Sequence, residues 1–310
     1  MYMHTTLEII RQRHQSGSQP GQRNDDARLV VVLEGGSSRA AFGGGMVGVL
    51  EEHGLLPVFD AVYGVSAGAL NGAWLICEKA NENIHGWWAP ESIKEIIKPA
   101  NFVRGKPIVN GDFLVDEMYE SFTRMGFEEI LASPVEYHPL ATDADSGESV
   151  DLAPFITDRA TLKTAMKATT RIPVLSGDPV SLGGRRFIDG GMAENIPIET
   201  ALAQGATHLL VLRTRQPSVD LASTHKLKQQ AVALWMRKNA AGALHTWENR
   251  NRRKQQLEVL LRDSPQVLQV APPEGAPKIS MIGQATETQK LAVEMGKEQM
   301  RQVLRETGIS

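Results

Sequence analysis

The sequence predicts an α/β fold, a three-layer α/β/α sandwich around a mainly parallel central sheet. Three observations carry that prediction. LVVVL at 29–33 and THLLVLR at 207–213 are short, continuous, β-branched runs of the kind a strand buried on both faces requires. The first run ends in glycine and passes into helical periodicity, with Phe42, Met46, Val49 and Leu50 on one face. A second short strand at 61–65 and a second helix at 67–79 follow at once. Strand, glycine turn, helix, strand, tight turn, helix is the rhythm of parallel strands with helices on their faces.

The remaining elements follow in order. Residues 5–14 form a short helix, and SGSQPGQRNDD then reads as a linker before the fold begins, so 1–27 is set apart as an N-terminal helix and linker. The helix at 39–53 is stopped by Gly54 and Pro57. Residues 83–106 are irregular with short helical pieces, and 112–125 reads as a helix on Phe113, Val115, Met118, Tyr119 and Phe122. Strands at 135–143 and 148–152 flank ADSG, a hairpin signal. A helix at 158–169 precedes a strand-like stretch with turn breaks at 173–188. A short helix at 197–204 is stopped by Gly205, and the strand at 207–213 follows. Residues 226–261 are long, helical and basic, read as two helices broken near Gly242. A last strand at 266–271 and an amphipathic helix at 285–304 complete the chain. No internal repeat appears, so 28–310 reads as one domain, with a core at 29–215 and a helical, C-terminal part at 216–310.

Composition narrows the function. The chain has 310 residues, enough for a buried core. Its 33 Lys and Arg against 36 Asp and Glu argue against a nucleic-acid binder held by bulk electrostatics. The single cysteine, Cys77, excludes an internal disulfide and a cysteine-rich zinc site, and reads as small apolar filler. The N-terminus lacks the apolar stretch of a signal peptide, and no run approaches the roughly 18 apolar residues of a membrane span. A cytoplasmic protein is the expectation, with peripheral contact at a membrane allowed.

The strongest chemical signal is YGVSAGAL at 63–70, which holds G-x-S-x-G as Gly64, Ser66 and Gly68 between a strand and a helix. In that context the serine occupies a strained elbow, and the free N–H groups of the following helix point at its oxygen. A serine that merely caps a helix between two packing glycines is the competing reading. A nucleophilic serine needs a base and an oxyanion stabiliser. A Ser–His–Asp triad would draw on His208, His225 or His245, yet His208 opens a strand and the other two lie in the basic helical region. RRFIDGGMAENIPI instead puts Asp189 at a strand end, with Gly190 and Gly191 leaving its carboxylate unshielded. A plain Asp-Gly-Gly turn remains the alternative. EGGSSR follows the first strand, so backbone donors at Gly35, Gly36, Ser37 and Ser38 fall beside the elbow, where an oxyanion would be held. Gly43, Gly45 and Gly48 spell the dinucleotide fingerprint, but they start about ten residues past the strand, inside a helix, where small residues serve helix packing. No cofactor and no metal are expected.

With these three elements in order, the chain resembles the patatin-like phospholipases. That family carries a G-G-G-x-R-G loop, then G-x-S-x-G, then D-G-A or D-G-G. The resemblance runs from about 29 to 215 and, more weakly, to the end. FDAVYGVSAGALNGAWL matches the elbow region, and MKATTRIPVLSGDPV with GRRFIDGGMAENIPIETALAQGATHLLVLRTR matches the second block. The resemblance implies a Ser66–Asp189 dyad without histidine, an oxyanion loop at 35–40, and hydrolysis of fatty acyl esters of phospholipids, lysophospholipids and related lipids. The partner it implies is a lipid or ester substrate, with a transient membrane surface allowed and no nucleic acid. A catalytically weak lipid- or partner-binding relative is the other function class. The sequence departs from the family at Ser37, where the third glycine stands, and at Ala40; a positive φ at Ser37 would cost roughly 1–2 kcal/mol. Arg39 is expected to brace the loop through charge-assisted bonds. Trp87, Trp88, Phe102 and Val103 either line an acyl pocket or pack as ordinary core. Arg250, Arg252, Arg253 and Lys254 either face anionic headgroups or form a solvated face.

Overall fold

The computed structural model describes residues 3–217, 226–283 and 285–309. Its centre is an eight-stranded sheet formed by β1 (Leu29–Leu33), β2 (Ala61–Val65), β3 (Glu136–Asp143), β4 (Ser149–Asp151), β5 (Val180–Leu182), β6 (Arg185–Asp189), β7 (His208–Leu212) and β8 (Val267–Val270). Five strands, β3-β2-β1-β7-β8, run parallel, and β4, β5 and β6 add antiparallel pairs at the β3 end.

Every residue of β1 and β2 is buried, because helices cover both faces. Alternation along β1 assigns its side chains: Leu29, Val31 and Leu33 join the core under the helices Ala41–Glu52 and Thr286–Arg305. Val30 and Val32 join the opposite core, with Ile198, Ala201 and Leu261. The period of two thus divides one strand between two cores, which makes the molecule three-layered.

The second glycine cluster is a packing device. A Cβ on Gly45 would stand 2.0 Å from the carbonyl oxygen of Val293, and one on Gly296 would stand 2.0 Å from that of Phe42. The helices Ala41–Glu52 and Thr286–Arg305 therefore cross at backbone contact, the role expected of those glycines rather than that of a phosphate loop. Cys77 is buried in the same core, and burial pushes its thiol up to about 11, consistent with apolar filler.

Two readings need correction. The helix read as preceding the fold, Thr5–Ser16, is part of its core: Leu7 and Ile10 are buried there, and Thr6 donates to the Gln266 carbonyl. Arg13, also buried, reaches both Asp25 in the supposed linker and Asp60 beside β2. The polar linker concealed this, since beside Leu7 and Ile10 the attachment rests on ion pairs that Arg13 makes with residues outside the helix. The helix expected at 112–125 is broken into Gly111–Phe113, a π-turn at Leu114–Met118 and Tyr119–Ser121. The wider turn keeps Val115, Met118 and Tyr119 buried.

Candidate active site

Strand register brings the two chemical residues together. Leu140 of β3 pairs with Val65 on one edge and Asp151 on the other; Ala141 pairs with Val150 and with Asp189. Asp151 and Val150 are consecutive on β4, so Asp189 must lie on the edge that β2 occupies. β2 leaves that edge at Val65, turning through Ser66, and β6 enters antiparallel to fill the next slot. The carboxylate-bearing strand end thus arrives beside the elbow, one residue along β3, a step of about 3.3 Å.

Ser66 has φ 54° and ψ −132°, a conformation that an L-residue holds only when its surroundings impose it. The imposition is visible. Its N–H donates to Thr169 Oγ1 at 2.8 Å, and its carbonyl accepts from Ala69 N–H at 2.9 Å. A Cβ on Gly64 would stand 2.5 Å from Ala69 Cα, and one on Gly68 2.6 Å from the Glu34 carbonyl oxygen, so both flanking positions exclude any side chain. The helix Ala67–Ile76 begins directly after Ser66 and directs its positive end at it. Asp189 is buried, accepts the Gly191 N–H at 2.8 Å and lines one cavity together with Ser66. Burial pushes its carboxyl up to about 6, against the opposing pull of the Ser66 and Gly191 donors.

The loop after β1 is less uniform than its sequence. Gly35 N–H donates to the Asn195 carbonyl at 2.9 Å, and Ser38 N–H donates to that of Met281 at 3.3 Å. These two of the four expected oxyanion donors are already occupied. Gly36 and Ser37 N–H groups have no intramolecular acceptor among the described residues, and neither does the N–H of Ala67. Ser37 has φ 49°, so a serine here holds the left-handed backbone that ordinarily favours glycine. Ser37→Gly is therefore expected to raise stability by about 1 kcal/mol, relief of the backbone strain outweighing glycine's added unfolded-state entropy. A thermal melt checks it; a lowered midpoint would mean that the serine side chain supports the loop.

Arg39 does not brace the loop. Its Nε is buried with no partner, and the loop is instead held by Glu34, which sequence reasoning missed. Glu34 is fully buried at the end of β1 and accepts from Thr214 N–H (2.7 Å), Arg215 Nε (2.9 Å), Asn195 Nδ2 (3.0 Å) and Arg213 Nε (3.2 Å). Burial alone would raise its pKa, but Arg213 and Arg215 outweigh that and hold it below the ordinary value. One carboxylate thereby ties together the three chain segments that reach the site. A charged residue directly after an all-apolar strand, and the arginines of RTR after β7, were the available signals.

Two cavities meet at Ser66. One, of about 120 Å³, is apolar, with Leu70, Trp74, Trp87, Ile97 and Met118 in its wall. The other, of about 240 Å³, contains Asp189 and the cations Arg39, Arg215, Arg250 and Lys254. Of the aromatic and apolar residues read as pocket or packing, Trp87 lines the first cavity and Trp88 packs against the core. Val103 is 85% exposed, and the side chain of Phe102 lies outside the described residues. Arg252 is exposed. His208 and His245 line neither cavity and bond instead to Thr207 and Asn249, while His225 lies outside the described residues.

The family described as patatin-like phospholipase has a sequence model that matches residues 31–202, more than half of the chain. The chain belongs to that family. Its matched region contains the elbow, the Asp-Gly-Gly segment and the loop after β1. The uncharacterized protein YjjU of Escherichia coli K12 is 30% identical over 199 residues, which are 60% of this chain and 52% of that protein. The chain therefore spans about half the length of that curated relative. Among solved structures, VipD from Legionella pneumophila aligns with 91% of this chain and 67% of its own, at 14% identity and a TM-score of 0.46. Human GIVD cytosolic phospholipase A2, solved with a methyl γ-linolenyl fluorophosphonate inhibitor, aligns with 97% of this chain and 63% of its own, at 12% identity and a TM-score of 0.41. Among the described residues no helix is long and apolar enough to cross a membrane.

Proposed function

We propose that this patatin-like chain is a serine esterase that hydrolyses fatty acyl esters of phospholipids, lysophospholipids or related lipids through Ser66 and Asp189. The observation that carries the reading is their placement: a strained serine and a buried carboxylate share one cavity, and an apolar cavity opens at the same serine. Ser66 Oγ attacks the acyl carbonyl carbon as its proton passes to Asp189. The carbonyl oxygen becomes an oxyanion, facing the unspent N–H groups of Gly36, Ser37 and Ala67. Collapse of the intermediate breaks the bond to the alcohol oxygen, which takes the proton from Asp189. Water then attacks the acyl-serine, gives its proton to Asp189, and the acid leaves as that proton returns to Ser66 Oγ. The acyl chain lies in the apolar cavity.

A long-chain alkyl fluorophosphonate is expected to label the folded protein at one site, Ser66, located by peptide mass spectrometry. The Ser66→Ala variant is expected to take no label. Failure of the folded wild type to react would favour the non-catalytic lipid-binding alternative.

A further inference from the structure

The cationic cavity is not explained by ester chemistry, which needs none of its arginines. Four cations, Arg39, Arg215, Arg250 and Lys254, line a space that also reaches Ser66. Among the described residues only Arg215 has a carboxylate within ion-pair distance, Glu34, and that group is shared with Arg213. Arg39 keeps a buried, unpartnered Nε. Its pKa is lowered by burial first and by Arg215 second; that of Lys254 is lowered by burial, then by Arg215 and Arg39. Like charges gathered in a half-desolvated cleft repel one another, and a bound anion would reverse that cost. Among the described residues Asp189 forms no ion pair with any of the four, and its carboxylate accepts the Gly191 N–H.

Taking Ser66 as the acyl-accepting nucleophile, the geometry points to this cavity as the receptor for the phosphate of an anionic lipid headgroup, held by Arg39, Arg250 and Lys254. The substrate then spans both cavities, its acyl chain on the apolar side, its ester at Ser66 and its phosphate among the cations. The site selects against phosphocholine. Among the described residues the one aromatic face lining it, Trp247, is covered by the Arg250 guanidinium at 3.6 Å, where a quaternary ammonium would otherwise stack. A choline would also meet uncompensated positive charge.

The test compares three monoacyl substrates with one acyl chain short enough to stay monomeric: a glycerophosphate, a glycerophosphocholine and a neutral nitrophenyl ester. In the wild type, kcat/KM for the phosphate-headed substrate is expected to exceed that for the choline-headed one by about tenfold or more, mainly through KM. Lys254→Gln and Arg250→Gln should each lower the ratio of phosphate-headed to neutral-ester kcat/KM by about tenfold. Equal turnover of the two headgroups, or a ratio that neither substitution moves, overturns the proposal while leaving the esterase reading intact. Inorganic phosphate is the competing arm: inhibition at the same concentration as the lysolipid would assign the site to free phosphate and overturn the headgroup assignment. If not even the neutral ester is hydrolysed, the reading of Ser66 fails instead. Calorimetric titration of the unmodified chain with monoacyl glycerophosphate then decides the headgroup site alone, binding that Lys254→Gln weakens supporting it and no binding overturning it.

Discussion

Ser66→Ala is expected to lower ester turnover by about 10⁴-fold or more while leaving the thermal midpoint nearly unchanged. On the proposed mechanism the hydroxyl removed is the attacking atom, so no neighbouring group can replace it. The features that hold the elbow belong to the backbone and survive: the Ser66 N–H to Thr169, the Ser66 carbonyl to Ala69, and the bare positions at Gly64 and Gly68. Assay of a neutral long-chain ester with a parallel melt separates the two effects. Turnover within tenfold of wild type would remove Ser66 from the chemistry. Lost turnover with a collapsed melt would make the serine structural.

Asp189→Asn is expected to abolish turnover and, unlike most substitutions at a buried site, to stabilise the protein at neutral pH. On the proposed mechanism activity falls because an amide cannot accept the Ser66 proton. Stability rises because burial lifts the carboxyl from an ordinary 3.8 to about 6. The folded wild type then binds a proton more readily than the unfolded chain, so its stability falls as pH rises from about 4 to 6. Above pH 6 the full cost of a buried charge is present, about 3 kcal/mol for a shift of about two units. Asparagine carries no such cost. The gain over wild type is expected to be largest at pH 7 and roughly halved at pH 5, read by denaturant or thermal unfolding at the two values. A gain independent of pH would show that the carboxylate is not the desolvated group. On that mechanism the same ionisation sets the acid limb of the wild-type rate: below pH about 6, kcat/KM for a neutral ester should drop about tenfold per unit.

The fold shows where the sequence was sufficient. The buried strands β1, β2 and β7 were legible because a parallel strand covered on both faces has no polar option along its length. Ser66 was legible because an elbow demands glycine two residues to either side, a local constraint written locally. Asp189 was legible as a strand end with glycines after it. The helical glycines at 43–45 were correctly assigned to packing, since their position inside a helix excludes a strand-end loop.

What the sequence could not contain is the register at β3. That Asp189 lies beside Ser66 follows from β2 and β6 sharing one edge of β3, through Val65 paired with Leu140 and Asp189 with Ala141, residues far apart along the chain. The loop donors were equally hidden. Gly35 and Ser38 look like Gly36 and Ser37 in sequence, yet Asn195 and Met281, brought in from distant segments, take their hydrogen bonds. Glu34 was passed over because a buried carboxylate is costly alone, and only the arrival of Arg213, Arg215, Thr214 and Asn195 makes it a clamp. The basic run at 250–254 shows the division most clearly. Composition marked it as charged, but only folding turned Arg250 and Lys254 toward Arg39 and Arg215 around one cavity and left Arg252 in solvent. Local backbone geometry and burial periodicity are properties of neighbouring residues and can be read along the chain. Charge pairing, donor occupancy and the meeting of strand ends are properties of space, and the tertiary structure alone decided them.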